Sequence, residues 1–190
     1  TAYSVFFIEQ PLVFYPDEPR VIRLAEHLIS EQKADGGFTW DLDSESGDPH
    51  TTISVLEGLN QFCVSFPNRG FSGTEAAKAN AINYLLSNRL FRITQAKDSG
   101  TVNPYRYRYD LLRALECLAD LRVAYYARIQ PAIDWLQVRR KKDGLWYLEN
   151  QHRGNVHFSM EEVGEPSRFI ALKALYVFST FKSPETKYMM

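Results

Sequence analysis

An all-α fold of repeated helical hairpins, forming part of an α/α toroid, follows from three observations. Apolar residues recur at helical spacing along most of the chain. A segment pattern returns at intervals of roughly fifty to sixty residues, long enough for one helix pair with its loops. Amphipathic helices alternate with helices that are apolar over most of their circumference, which places the first kind outside and the second inside a stack.

The elements follow in order. Asp17 ahead of Pro19 is a start signal for a helix carrying Val21, Ile22, Leu24, Ala25, Leu28 and Ile29 on one face. Arg20, Arg23, Glu26 and Glu31 form its wet side. A glycine turn follows at Asp35-Gly36-Gly37-Phe38, and Asp48-Pro49 opens an apolar helix with Ile53, Leu56, Leu59 and Cys63. Ser72 with Glu75 reads as a capping box before a helix over 76–86. Its expected apolar partner runs from Tyr109 to Leu121. Pro131 suits the first turn of a helix over 132–140, Asp143-Gly144-Leu145-Trp146 repeats the glycine turn, and Arg168 to Phe181 is the last apolar helix. The hairpins so defined span about 18–66, 72–122 and 126–182 of one repeat domain. In each turn the glycine is expected to end the outer helix in a left-handed conformation. Phe38, Trp40, Trp135 and Trp146 are expected to staple neighbouring repeats.

Composition narrows the function classes. Apolar residues make up 45% and charged residues 24% of 190, an ordinary globular balance. A net charge of -1 leaves no electrostatic footprint for nucleic acid. The cluster Arg139 to Lys142 suits a solvated helix end. Cys63 and Cys117 sit inside apolar helical patterns and read as small hydrophobes rather than as a disulfide framework or a zinc site. No apolar run reaches membrane-spanning length and no signal peptide opens the chain, so a cytoplasmic setting is expected. The loop Asp41 to Asp48 holds four carboxylates, but Ser46 and Thr52 stand where a calcium loop needs Gly and Glu. The apolar stretch Tyr3 to Tyr15 is expected to cover the open side of the core.

The third repeat resembles the QW motif of squalene and oxidosqualene cyclases, with Ala132, Trp135-Leu136, Arg140, Gly144 and Trp146 at the motif's positions. The first repeat places Ala25, Leu28, Gln32, Gly36 and Phe38 there. Arg140 replaces the glutamine in one and His27 the aromatic in the other. Longer stretches are similar to uncharacterised bacterial proteins with prenyltransferase or squalene-oxidase repeats. They are Pro49 to Leu59, Arg89 to Arg92, Arg108 to Leu115, Val156 to Phe158 and Pro166 to Arg168. The resemblance implies a terpenoid-cyclase/protein-prenyltransferase-like toroid. Members of such families tend to be longer, and the chain opens on Thr1, so further hairpins are expected on the N-terminal side. The catalytic motifs of the relatives are absent: no Asp-x-Asp-Asp acid, no zinc-ligand set and no diphosphate–magnesium motif. No cofactor is expected.

Polar and aromatic residues precede each apolar helix: His50, Thr51 and Thr52; then Tyr105, Arg106, Arg108, Tyr109 and Asp110; then His157, Glu161, Glu162, Ser167 and Arg168. Helix pairs stacked in register would gather them at one mouth, where helix N-termini favour anions. In that reading Arg108 and Arg168 hold the anionic group of a small molecule, and Tyr109 and Phe158, with Tyr107, line its apolar part. His50 or His157 serves as base, and Asp110 or Glu162, with Glu161, as acid or orienting group. Structural ion pairs Asp110–Arg113 and Glu162–Arg168 would use the same residues without any ligand. Two other functions fit the architecture. One is a carbohydrate-active toroid using Tyr109, His157 and Arg168. The other is a scaffold that binds a partner protein, dimerises or meets further hairpins, and it predicts an exposed apolar edge.

Overall fold

The structure is a computed structural model that describes residues 19–41, 43–67, 73–91, 109–124, 126–151 and 157–181. Among the described residues the chain is all-helical, with six α-helices, one short 3-10 turn and no strand beyond isolated bridges. Two compact units divide between Asn88 and Arg89.

In the first unit, α1 (Pro19–Ser30) starts at the expected proline and buries Val21, Ala25 and Leu28, one stripe of an amphipathic helix. Helix α2 (Pro49–Ser65) begins at the expected Asp48-Pro49 step. The Asp48 carboxylate accepts from the Thr51 N–H at 2.8 Å and from the Thr51 hydroxyl at 2.7 Å. It thereby satisfies a donor that the helix start leaves orphaned. Helix α2 is buried nearly all round, from Thr51 through Leu56 and on to Gly58, Leu59 and Phe62. Helix α3 (Thr74–Ser87) packs along it, burying Ala77, Ala81, Tyr84 and Leu85. Gly73 is the N-cap of α3; the expected capping box depends on a residue that is not described. Ser72 lies outside the described residues, as do Asp17 and the apolar stretch Tyr3 to Tyr15.

The second unit opens on a 3-10 turn, Arg89–Phe91, in which Leu90 is buried at a φ of 51°. A branched side chain adopts that left-handed backbone at a cost of about 1–2 kcal/mol. The Tyr109 hydroxyl donates to the Leu90 carbonyl at 2.7 Å, which ties the turn to the start of α4 (Leu111–Asp120). Helix α5 (Gln130–Val138) carries Pro131 in its first turn as expected. Helix α6 (Arg168–Thr180) packs on α4 and buries Ile170, Ala174 and Val177. Lys173 Nζ meets Glu116 at 3.0 Å, and the Tyr176 hydroxyl donates to Asp120 at 2.7 Å.

The two glycine turns agree bond for bond. Lys33 N–H donates to the Gly37 carbonyl and Gly36 N–H to Lys33, and Lys141 with Leu145 and Gly144 with Lys141 do the same, all at 2.9 Å. Asp35 accepts from Gly37 N–H at 2.9 Å, and Asp143 from Leu145 N–H at 3.0 Å. Gln32 Nε2 donates to the Gly36 carbonyl at 2.9 Å, and Arg140 Nε to the Gly144 carbonyl at 2.8 Å. Asp48 N–H reaches the Phe38 carbonyl and Ser167 N–H the Trp146 carbonyl, both at 2.8 Å. Gly36 and Gly144 take φ of 85° and 83°. Neither glycine caps the helix before it, contrary to expectation. The helices end at Ser30 and Val138, and the left-handed residue closes a separate tight turn beyond.

The staples also divide. Phe38 and Trp146 are buried, and the Trp146 indole N–H donates to the Leu136 carbonyl at 2.9 Å. Trp135 is half-buried under the Arg139 guanidinium, 3.6 Å from its ring centre. Trp40 is 64% exposed and staples nothing. The last apolar helix also departs from expectation, because Leu172 and Leu175 on α6 are exposed rather than covered.

Candidate functional site

The polar residues ahead of α2, α4 and α6 mostly serve the helices themselves. Asp48, Asp110 and Ser167 are the N-caps of α2, α4 and α6. Asp110, buried, accepts from the Arg113 N–H at 2.7 Å. Ser167 Oγ accepts from the Ile170 N–H at 3.0 Å. Glu161 folds back over the start of α6, where its carboxylate accepts from the Arg168 N–H at 2.8 Å and from the Ser167 hydroxyl. An N-terminal helix field attracts an anion, and at α6 the chain supplies that anion itself.

The proposed site residues separate accordingly. His50 is exposed in the first turn of α2, in the first unit. Tyr109 and Asp110 are buried at the start of α4, one bonded to Leu90 and the other capping. His157, Phe158, Glu162 and Arg168 are all exposed along the stretch that leads into α6. Arg108 lies outside the described residues, with Tyr105, Arg106 and Tyr107. Thr52, in the first set, is fully buried and exchanges hydrogen bonds with the Phe38 backbone at 2.9 and 3.2 Å.

Perturbed titrations lie elsewhere. Tyr84 on α3 donates its hydroxyl to the Gly47 carbonyl at 2.7 Å. Burial, then the nearby Asp35 and Asp48 carboxylates, push its pKa well above the usual tyrosine range. Half-buried Cys63 lies 3.5 Å from Glu75, and burial raises its thiol, the opposite of a reactive cysteine. A hydrogen bond from Lys78 at 2.9 Å lowers Glu75. Neither Cys63 nor Cys117 is in a disulfide. Among the described residues no group of His, Cys, Asp and Glu could hold a metal ion, and no helix is long and apolar enough to cross a membrane.

The apolar residues of α2 and α6 also differ in exposure. Aligned on their N-caps, Asp48 and Ser167, helices α2 and α6 match Ile53 with Leu172 and Leu56 with Leu175 in sequence register. Ile53 and Leu56 are 0% exposed, whereas Leu172 is 68% and Leu175 56% exposed, with Tyr176 half-exposed beside them. Sequence reasoning named none of these as functional, because an apolar helix face looks the same whether a neighbour covers it or not. Comparison with known protein families, curated proteins and solved structures gives no match.

Proposed function

We propose that the chain is an interaction module, a run of α/α-toroid-like helical hairpins whose last inner helix presents an apolar face to another polypeptide. The observation that carries this reading is the contrast between Ile53 and Leu56, fully buried, and their counterparts Leu172 and Leu175, open to solvent. Exposing two leucines forgoes about 1.5–3 kcal/mol each relative to burial, and contiguous apolar surface of this kind marks contact sites. The bond-for-bond agreement of the two glycine turns supports the repeat architecture. Small-molecule chemistry at the helix N-termini has less support, since Asp48, Asp110, Ser167 and Glu161 already occupy them.

The test is a photo-cross-linking amino acid in place of Leu172, introduced in the cell that makes the protein. The expected result is a discrete protein adduct that Leu175→Gln suppresses and that the same probe at exposed Glu26 does not form. Absence of any protein adduct at position 172 sinks the interaction reading.

A further inference from the structure

The two glycine turns share one backbone and differ in the side chains they carry. Matched through their hydrogen bonds, Ser30, Glu31, Gln32, Ala34 and Gly37 correspond to Val138, Arg139, Arg140, Lys142 and Leu145. Each of these differences adds an apolar or a cationic side chain. Lys33 with Lys141 and Asp35 with Asp143 are common to both. The first turn therefore holds one cation between two carboxylates, and the second holds four cations and one carboxylate. Since the same bonds close both turns, the backbone requires neither the cations nor the aliphatic pair. The dipole of α5 does not require them all either. It favours cations only within the last turn, and Lys141 and Lys142 lie beyond the helix end at Val138.

These side chains form one surface. The Lys141 N–H donates to the Leu145 carbonyl at 2.9 Å and Arg140 Nε to the Gly144 carbonyl at 2.8 Å, so residues 138–145 fold back on themselves. None of them is buried. Among the described residues Val138 is the most exposed large apolar side chain, at 81%, and Leu145 is 43% exposed. Arg139 is held over the Trp135 ring at 3.6 Å and bonded to Glu149 at 3.4 Å. Asp143 accepts from the Leu145 N–H at 3.0 Å and from the Tyr147 hydroxyl at 2.7 Å. Glu149 and Asp143 offset two of the four positive charges, and the turn stays cationic.

We propose that the turn at 138–145 is a peripheral docking site for an anionic lipid surface. Arg140, Lys141 and Lys142 meet the headgroups, and Val138 and Leu145 enter the interface. Cations beside exposed aliphatic side chains match such a surface in both charge and polarity. Nucleic acid would take up the cations and give the aliphatic pair nothing to contact. The chain's own residues 182–190 bring Glu185 against Lys182 and Lys187, no complementary charge. The net charge of -1 does not oppose the contact, because salt screens charges farther away than about 8–10 Å. The site does not depend on the apolar face of α6.

Vesicles of phosphatidylcholine and phosphatidylserine in equal parts are the probe, and co-sedimentation of the whole chain is the readout. Binding is expected to these vesicles, not to pure phosphatidylcholine, and should fall as salt is raised. One Lys or Arg near an anionic surface contributes about fivefold. Lys141→Glu/Lys142→Glu should therefore weaken binding by more than about tenfold. Val138→Gln keeps every charge in place and should weaken it several-fold. Charge reversal at exposed Arg23 on α1 should leave it unchanged. All the substituted side chains are exposed, so each variant should melt within about 2 °C of the parent. No binding to the anionic vesicles, or binding indifferent to the lysine pair, would overturn the proposal. Tighter binding to duplex RNA than to vesicles, with no effect of Val138→Gln, would assign the turn to nucleic acid and overturn it as well.

Discussion

Helices α2 and α6 begin alike and end up differently. Each follows a glycine turn with the same hydrogen bonds, each starts on a side-chain N-cap, and each presents apolar residues at matching positions. Yet α2 is buried nearly all round, while α6 buries one stripe and leaves Leu172 and Leu175 outside. The difference teaches that the turn and cap are local structures, complete within a few residues, whereas the cover of an apolar helix is supplied by its neighbours.

The largest expected effect sharpens that contrast. Leu56→Ala should cost about 2–5 kcal/mol through the cavity it leaves. Leu175→Ala should stay within about 0.5 kcal/mol, as at an exposed site. Urea unfolding of the two variants measures both, and equal losses would break the comparison.

The two left-handed glycines come next. Gly144→Ala should cost about 1–2 kcal/mol for the positive φ alone. Gly36→Ala should cost more, since its new Cβ must also push the Asn80 backbone away from 2.7 Å. Thermal melts that rank the pair in the opposite order would show that the α3 contact adds nothing to the first turn.

Cap removal should be smaller and similar at the two ends. Asp48→Ala and Asp110→Ala should each lose about 0.5–2 kcal/mol. Ser167→Ala should fall at the low end of that range, because Glu161 still accepts from the Arg168 N–H. Chemical denaturation of the three variants decides the ranking.

The last effect is a pH dependence that Tyr84 contributes from the first unit. The folded pKa of Tyr84 is raised, so its contribution is fully present below the unfolded tyrosine value near about 10 and is lost as pH rises toward the folded one. Tyr147 and Tyr176 shift the same way, first through hydrogen bonds to Asp143 and Asp120. The informative quantity is therefore the stability difference between the parent and Tyr84→Phe as a function of pH. It should be flat in the neutral range and shrink above about pH 10; a difference that stays constant there would remove Tyr84 as its source.

Much of the local structure was legible from residue types. Pro49 behind Asp48, Pro131 and the Asp-Gly turns marked the helix starts and the repeat, because a cap or a turn needs partners only a few residues away. The candidate site was less legible. Asp110 and Glu161 look in sequence like catalytic carboxylates and in the structure close helix starts, two roles that draw on the same chemistry. Trp40 and Trp146 are the same residue type beside similar turns, and only one finds a cavity to fill.

By itself the sequence determined an all-helical chain with a repeating glycine turn, because helical periodicity, prolines and left-handed glycines act through neighbouring bonds. Only the tertiary structure decided which apolar faces are covered. Burial of Ile53 and exposure of Leu172 depend on whether another helix lies alongside, and no pattern within either helix encodes that neighbour.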